Sequence, residues 1–431
     1  MNWITRRDFL KYSAGLSALS LCPQMATAAN QGSLNPVDID QLNFQKTKSQ
    51  NSQFVILVSF AGGWDTSLGP DAWTSKIRPP ESEYFIEYRE DQLLPFGESF
   101  VGPGMAPFSS YFKNLTIFNG VYLSSTDLGH PLLRYSETGQ GQGELAVLPA
   151  QFSEATQNFG LGLLSSRSAY VAGKSLPQID TSGLSTANLT AALTFDLATK
   201  ASTDILESQK QIRALQAQIQ NYNSALTQSR TKNSGLASMG QIIGQAFKQG
   251  LSFGAAVDVE DLRDTNNQNI DFDTHSNHER QHLESLRVSF ENLKKLMDEL
   301  ASIEISNGVS VLSKTTIVIV SDFTRTPAKN ASGGKDHNPQ TSSMLVWNQN
   351  WKGSQILGAS RHVGLKNSRV GIPYLSALPL DIRTKKPVLR REDVFILRPD
   401  HVMATIYQSM GIEAELVHPG FRGLPKLDLF F

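Results

Sequence analysis

The feature that most constrains the fold is a pair of continuous apolar runs, each ending abruptly just ahead of an aspartate. Residues 54–60 read FVILVSF, and an alanine, two glycines and a tryptophan separate them from Asp65. Residues 315–320 read TTIVIV and lead directly through a serine into Asp322. Runs of this length, rich in β-branched residues and without polar alternation, are typical of strands buried on both faces of a sheet.

The rest of the chain predicts helices around that sheet. A third strand is expected at 115–118, before an Asn-Gly pair, and amphipathic helices are expected at about 278–301 and from Pro399 onward. The Gln- and Ala-rich segment at about 188–250 carries an apolar stripe at helical spacing and is predicted to be a helical insertion. Strands separated by long helical stretches favour an α/β fold with a mostly parallel sheet covered by helices.

The N-terminal residues have the order of features of an export signal. Arg6 and Arg7 precede a Phe-Leu pair and a lysine, and a diluted apolar stretch leads to Ala-Thr-Ala, ending at Ala28. The stretch is shorter than the roughly 20 apolar residues of a membrane anchor. The whole N-terminal segment resembles a bacterial twin-arginine signal. The alternative is an ordinary amphipathic helix that contains an arginine pair by chance.

This interpretation fixes the expected organisation and location. We predict a signal peptide at 1–28, a polar linker at 29–52 and one large domain at 53–431 that holds the helical insertion. The protein would reach the periplasm through the twin-arginine export machinery and keep no permanent membrane span.

Composition limits the partners and the metal chemistry. The formal net charge is only −1, which gives no electrostatic case for nucleic acid. The chain has one cysteine, Cys22, which lies inside the predicted signal peptide. The mature protein would therefore hold any metal through histidine and carboxylate side chains. The sequence leaves the oligomeric state open.

The densest cluster of such residues is DFDTHSNH at 271–278, with His282 four positions on. Asp273 and His275 are two residues apart, and this spacing lets a carboxylate and an imidazole reach one divalent ion. The same cluster also fits a polar loop in which Asp273 or Ser276 caps the following helix. We expect His278 and His282 to be solvated residues at the start of that helix.

Two further histidines have settings that suit a site. His337 ends a Gly-Gly-Lys-Asp-His stretch, in which the glycines let the backbone approach another segment closely. His130 lies between a glycine and a proline. Each stretch by itself fits an ordinary loop equally well. The remaining histidines outside these clusters, His362, His401 and His418, are expected to be structural or surface residues.

Taken together, four ordered blocks carry a resemblance to a known family. These are GGWDT, then GHP followed by SETG, then DFDTHSN, and finally SDFTRTP followed by GGKDHN. The array resembles a family of twin-arginine-exported bacterial proteins known as domain of unknown function 1501. That family is in turn similar to the alkaline phosphatase and sulfatase superfamily, whose central mostly parallel sheet lies between helical layers with metals at the carboxyl ends of the strands.

The resemblance implies a role for each matching residue. The implied metal ligands are Asp65, Asp273, His275, Asp322 and His337. Arg325 and Lys335 would face an anionic oxygen of the substrate. The implied ion is divalent, and an Asp/His ligand set permits zinc, manganese, iron or calcium.

Two departures from the superfamily pattern affect the implied chemistry. Phe323 stands where the phosphatases have a histidine after the late-strand aspartate, so a complete two-metal site is not expected. The nucleophile is not marked by a motif: Thr126, Ser136 and Thr138 are all available, and we take Thr138 with His130 as the catalytic candidates of that region. A metal-activated water would remove the need for a side-chain nucleophile.

The expected function is therefore a periplasmic metal-dependent hydrolase of a small anionic ester, phosphate or sulfate. The alternative is a non-catalytic cell-envelope protein with a structural metal, which binds a partner through its helical insertion. A third reading, a carbohydrate-binding or lytic protein, has only an ordinary aromatic content behind it.

Overall fold

A computed structural model gives the architecture of the chain. It describes residues 54–72, 88–122, 238–252, 254–262, 270–321, 323–338, 340–368, 371–381, 383–384, 386–388, 394–410 and 427, residues 221 and 224–225, and the backbone of short strands between 163 and 184. The chain divides into two units, Met1–Lys46 and Thr47–Phe431, and all of these residues belong to the second. The predicted signal peptide and linker lie outside the described residues.

A seven-stranded sheet forms the centre of the second unit. Its strands in chain order are β1 (Phe54–Ser59), β2 (Leu115–Tyr122), β3 (Leu163–Ser165), β4 (Gly254–Asp258), β5 (Thr315–Val320), β6 (Thr341–Asn348) and β7 (Gln355–Leu357). They are arranged in the order β7-β2-β6-β5-β1-β4-β3. Only β6 runs against the others within this sheet. The predicted mostly parallel α/β sheet is confirmed.

Three α-helices of at least ten residues occur in the described part of the chain: α1 (Met239–Lys248), α2 (His278–Ser302) and α3 (Pro399–Ser409). Both α2 and α3 confirm helices predicted from the sequence. Of the predicted insertion, the described residues include α1 but not most of its apolar stripe. None of the described helices has both the length and the apolar character needed to cross a bilayer.

Shorter elements complete the described fold. The two-stranded pairs are Leu94–Phe96 with Ser99–Val101, Tyr170–Val171 with Lys174–Ser175, Ile179–Asp180 with Gly183–Leu184, Glu304–Ser306 with Val309–Ser310, Thr324–Arg325 with His337–Asn338, Ser360–Val363 with Tyr374–Ala377, and Leu380–Asp381 with Val394–Phe395. The 3-10 segments are Thr66–Leu68, Glu90–Gln92, Pro103–Asn114, Val259–Leu262, Leu312–Lys314 and Leu365–Asn367.

The core explains why β1 has no polar alternation. Its residues Phe54, Ile56 and Val58 pack into the large apolar core with residues of α1, α2 and the Pro103–Asn114 segment. Val55 and Leu57, which alternate with them and so lie on the opposite face, are equally buried. A strand covered on both faces must be apolar at every position, which is the pattern read from the sequence.

The helix α2 begins in a different way from the predicted one. Neither Asp273 nor Ser276 caps it: the N-cap is Asn277, in a left-handed conformation with φ of 52° and without a side-chain cap. The first helical N–H, that of His278, instead donates to the carbonyl of Gly333 at 3.3 Å. This hydrogen bond joins the start of α2 to the Gly-rich loop, and it brings the residues of both segments to the same edge of the sheet.

Candidate metal centre

The loops that follow β1 and β5 run side by side beyond the sheet. The two strands are parallel neighbours with Ser59 opposite Val320, so their carboxyl ends meet at one edge. The Ser321 hydroxyl donates to the Phe60 carbonyl at 2.6 Å and accepts from the Trp64 N–H at 3.1 Å. These contacts hold the two loops together at the edge where open α/β sheets bind ligands.

Two further segments, 273–275 and 335–337, are paired beside those loops. The Lys335 N–H donates to the Thr274 carbonyl at 3.1 Å, and a bridge joins Ser276 to Gly333. Gly334 leaves no room for a side chain, since a Cβ there would lie 1.9 Å from the carbonyl carbon of His275. The close approach that the paired glycines suggested is therefore made by Gly334 against the histidine loop.

Asp273, His275 and His337 bring one ligand atom each to a common point. The Nε2 atoms of His275 and His337 are 3.0 Å apart, and His275 Nε2 is 3.3 Å from Asp273 Oδ1. All three atoms lie within 4.8 Å of one another. Ligand atoms on a tetrahedral zinc ion, each about 2.0–2.1 Å from the metal, are about 3.3 Å apart. The two distances from His275 Nε2, 3.0 and 3.3 Å, are close to that spacing and suit one small divalent ion.

The second ring nitrogen of His275, Nδ1, has a carboxylate partner, as is usual for metal-binding histidines. Its Nδ1 lies 3.1 Å from Asp336 Oδ1, and a carboxylate can only accept there, so Nδ1 carries the proton. That tautomer directs the Nε2 lone pair at the cluster. The Asn330 amide also donates to Asp336 Oδ1, at 2.9 Å, and to the His275 carbonyl, at 3.0 Å. The carboxylate and the ring are thus fixed by one asparagine.

The cluster is open to solvent on one side. The side chains of His275 and Asp273 are 47% and 67% exposed, whereas Arg325 beneath them is fully buried. Partial burial raises the pKa of Asp273, but the hydrogen bond and charge of Arg325 outweigh it and hold that pKa below its ordinary value. Three protein ligands with an open side are typical of catalytic metal sites, because structural zinc sites are closed by four.

Arg325 ties the surrounding loops together. Its Nε donates to the Gly63 carbonyl at 3.0 Å, and its terminal nitrogens donate to the carbonyls of Lys335 at 3.1 Å and Phe272 at 2.7 Å. It also binds Asp273 Oδ1 at 2.9 Å and the Gly62 carbonyl. Protein acceptors thus surround the guanidinium. In this structure Arg325 positions the loop that carries Asp273, whereas the resemblance implied that it would contact the substrate.

Below the cluster, Asp65 is the centre of a buried polar ring. Its Oδ2 binds Lys335 Nζ at 2.5 Å and His278 Nε2 at 2.9 Å. Thr274 Oγ1 lies 2.6 Å from His278 Nδ1 and 2.9 Å from His282 Nδ1. The ring closes where the backbone N–H of Asp65 meets His282 Nε2 at 2.7 Å. All five residues are at most 2% exposed.

One donor in the ring fixes the direction of every bond. The backbone N–H of Asp65 can only donate, so His282 accepts at Nε2 and its neutral ring carries the proton on Nδ1. That proton goes to Thr274 Oγ1, whose own proton goes to His278 Nδ1. His278 is then protonated on Nε2 and donates to Asp65 Oδ2. The cycle begins and ends on Asp65, and every partner is satisfied.

The electrostatics agree with neutral histidines and an ionised aspartate. Burial lowers the pKa of His278 and outweighs the opposite effect of Asp65. Burial, with the neighbouring His278, lowers the pKa of His282 well below its ordinary value. Burial alone would raise the pKa of Asp65, but Lys335 and His278 hold it well below the ordinary value.

The predicted residues are thus distributed over two sites. Asp273, His275 and His337 converge on the open cluster. Asp65 and Lys335 instead bind each other in the ring, where Asp65 Oδ1 also accepts from the N–H and hydroxyl of Ser67 at 2.9 and 2.6 Å. Asp322, His130 and Thr138 lie outside the described residues.

The expectation that His278 and His282 are solvated is wrong. Both are completely buried and bind the ring. The signal was present in their spacing, because His278, His282 and Leu286 recur at four-residue intervals and continue the apolar stripe of α2 toward its start. The role of Asp336 behind His275 was also missed, since nothing in a single sequence distinguishes it from a loop residue.

Fold and site together define a mixed α/β protein with an open Asp-His-His cluster beyond the carboxyl ends of its parallel strands. A family model described as "Protein of unknown function (DUF1501)" matches residues 178–377, so the family resemblance carried by the sequence motifs is confirmed over that stretch. The matched stretch contains all three cluster residues together with Arg325 and Asp336, whereas Asp65 precedes it. A search of curated proteins gave no match.

Proposed function

We propose that this protein is a metal-dependent hydrolase of a small anionic ester, a phosphate or a sulfate, and that it acts in the periplasm after twin-arginine export. The observation that carries the proposal is the convergence of Asp273, His275 and His337 with Asp336 behind His275. Two imidazoles and a carboxylate favour zinc, manganese or iron over calcium, which takes oxygen ligands. A divalent ion held there would act as a Lewis acid on an ester or water oxygen.

The charges around the cluster favour an anionic substrate. The carboxylates of Asp273 and Asp336 balance the two charges of a divalent ion, and the Asp65–Lys335 pair is neutral as a whole. Arg325, against Asp273 at 2.9 Å, then leaves a net positive charge beside the open face. Since Arg325 is buried, it acts on a bound anion through its field rather than through a hydrogen bond.

The rest of the proposal rests on likeness to known folds. A mostly parallel sheet with a ligand cluster beyond its carboxyl ends is the arrangement of the alkaline phosphatase and sulfatase superfamily, and we assign the domain at 53–431 to that fold type. In this assignment the nucleophile is a metal-activated water or a residue of the 126–138 segment, with Thr138 and His130 as candidates. Export in folded form suits a protein whose metal is inserted in the cytoplasm.

The deciding experiment measures metal content and turnover together. The wild type, Asp273→Ala/His275→Ala and the control Glu98→Ala, which removes an exposed carboxylate of the Leu94–Val101 hairpin, are purified and analysed by elemental mass spectrometry. We expect about one ion per wild-type and control chain and none in the double variant, with the fold retained. Ester and sulfate panels should then show turnover that disappears with the metal. A wild type that stays metal-free after supply of zinc, manganese and iron would overturn the proposal.

One observation favours a second candidate, a non-catalytic envelope protein with a structural metal. Arg325 and Lys335, the cations implied to contact substrate, are both fully buried against protein acceptors. The partner surface would then be the helical insertion at about 188–250. Stoichiometric metal without turnover on either panel, together with capture of a partner that is lost when the insertion is replaced, would support this candidate.

A further inference from the structure

Each segment that carries a cluster ligand also sends one side chain inward. Between Asp273 and His275, the Thr274 side chain points to the buried ring, and two residues before His337 the Lys335 side chain does the same. His275 and His337, from the same two segments, meet Asp273 in the open cluster. The open cluster and the buried ring are therefore two faces of the same pair of backbone segments.

Asp65 holds both inward side chains, one directly and the other through two histidines. Lys335 Nζ binds Asp65 Oδ2 directly at 2.5 Å. Thr274 is held by His278 and His282, which in turn bind the carboxylate and the backbone N–H of Asp65. Any shift of one ligand segment against the other stretches a bond of this ring. The position of Asp65 therefore fixes the distance between the segments.

We propose that Asp65, Thr274, His278, His282 and Lys335 form a positioning ring, which sets the affinity and the size selectivity of the metal site above it. The inference rests on the proposed metal site. None of the five touches the ion; they act by holding Asp273 and His275 at a fixed distance from His337. Zinc binds imidazole at about 2.0–2.1 Å. A rigid spacing suited to that length selects zinc over the larger manganese ion.

The ring is distinguished from ordinary packing by its dependence on one hydroxyl. Thr274 Oγ1 both accepts and donates in the ring, so a valine of nearly the same shape preserves the packing but breaks two hydrogen bonds. A serine keeps both bonds and loses only a methyl group. The pair Thr274→Val and Thr274→Ser thus separates the hydrogen-bonding role from the volume of the side chain.

The test measures zinc and manganese affinities by calorimetric titration of the wild type, both Thr274 variants and Thr405→Val. Thr405 is also fully buried, and its hydroxyl donates to the His401 carbonyl at 2.7 Å inside α3. We expect Thr274→Val to bind zinc about 10–100-fold more weakly, the loss typical when a supporting contact of a metal ligand is removed. The zinc-to-manganese preference should shrink in that variant. Thr274→Ser and Thr405→Val should keep both the affinity and the preference.

The outcomes separate this inference from the proposed function. Zinc binding that is unchanged in folded Thr274→Val overturns the positioning ring and leaves the metal site standing. A wild type that binds neither ion overturns the metal site, and the ring with it. If Thr274→Val does not fold, Lys335→Arg replaces it. That variant keeps the charge beside Asp65 but lengthens the side chain, so it should weaken zinc binding by a similar factor; unchanged binding would contradict the proposal.

Discussion

His275 and His337 face each other with their Nε2 atoms 3.0 Å apart and their rings tilted by 46°. Since His275 is protonated on Nδ1 by its bond to Asp336, its Nε2 offers a lone pair toward the other ring. Either His337 donates an Nε2 proton to that lone pair, or the Nε2 lone pairs of both rings bind one cation. The second arrangement also uses Asp273, which stands 3.3 Å from His275 Nε2.

Removing the carboxylate behind His275 should weaken metal binding without removing a ligand. In Asp336→Ala the ring loses the acceptor that fixes its tautomer, and we expect zinc affinity to fall about 10–100-fold. In Asp336→Asn an oxygen remains to accept the Nδ1 proton, so the loss should be smaller. Competition with a chelating dye measures both values. Equal affinity in the wild type and Asp336→Ala would contradict the assigned role.

Shortening the buried arginine should destabilise the whole domain. In Arg325→Lys the charge remains, but one ammonium group cannot reach the carbonyls of Gly63, Phe272 and Lys335 at once. Leaving buried carbonyls without donors should lower the free energy of unfolding by about 3 kcal/mol. Urea denaturation provides the measurement. Arg361→Lys, at an exposed position of the Ser360–Val363 strand, should change it by less than about 0.5 kcal/mol. A similar free energy of unfolding for the two variants would contradict the stabilising role of the Arg325 hydrogen bonds.

The two adjacent glycines of the 333–334 pair should respond differently to alanine. Gly333→Ala places a methyl group in open space but in a left-handed backbone with φ of 73°, which costs about 1–2 kcal/mol. Gly334→Ala drives a methyl group into the His275 carbonyl carbon and must displace the ligand loop. We therefore expect zinc titration to show intact affinity in Gly333→Ala and a loss of at least about 10-fold in Gly334→Ala. The reverse order would show that the segments are not paired as described.

Acidification should destabilise the metal-free protein. His278 and His282 have lowered pKa values, so the unfolded chain binds protons at these rings near 6.5 while the folded chain does not. The free energy of unfolding therefore decreases as the pH falls below about 6.5, by up to about 1.4 kcal/mol per pH unit for each ring. The lowered pKa of Asp65 adds a loss of the same sign below its ordinary 3.8.

Urea unfolding in the presence of a chelator between pH 8 and pH 5 checks this slope. Histidine resonances give an independent readout, because the two buried rings should keep the shifts of neutral imidazole while the protein remains folded. A stability that is flat or rises on acidification would contradict the neutral, buried assignment.

The sheet could be read from the sequence because burial on both faces leaves a signature in every residue of a strand. The runs at 54–60 and 315–320 became β1 and β5, and the register that places Asp65 beyond their ends follows from parallel pairing. The antiparallel direction of β6 could not be read, since a buried strand is apolar whichever way it runs. The start of α2 was missed because its cap is a backbone contact to Gly333 rather than a side chain.

The site was predictable in part for a similar reason. Spacing grouped Asp273 with His275, and the resemblance added His337. Whether a charged residue such as Lys335 points toward the cluster or away from it depends on the strand pairing of its segment, which a single sequence does not encode. The inward direction of Thr274 and Lys335 was hidden for this reason, although each is a neighbour of residues that were identified.

The ring also determines when during biosynthesis the site can exist. Asp65 and Lys335 are separated by 270 positions, and Asp65 and His278 by 213. Contacts between such distant residues form late, because a long loop must close before they stabilise anything. On the ribosome, the Asp65 carboxylate emerges long before His278 and Lys335, its partners in the ring, and its Oδ2 atom stays hydrated until most of the chain has followed. A nascent chain can therefore hold neither the ring nor the ion, and the site is completed only after synthesis has passed Lys335.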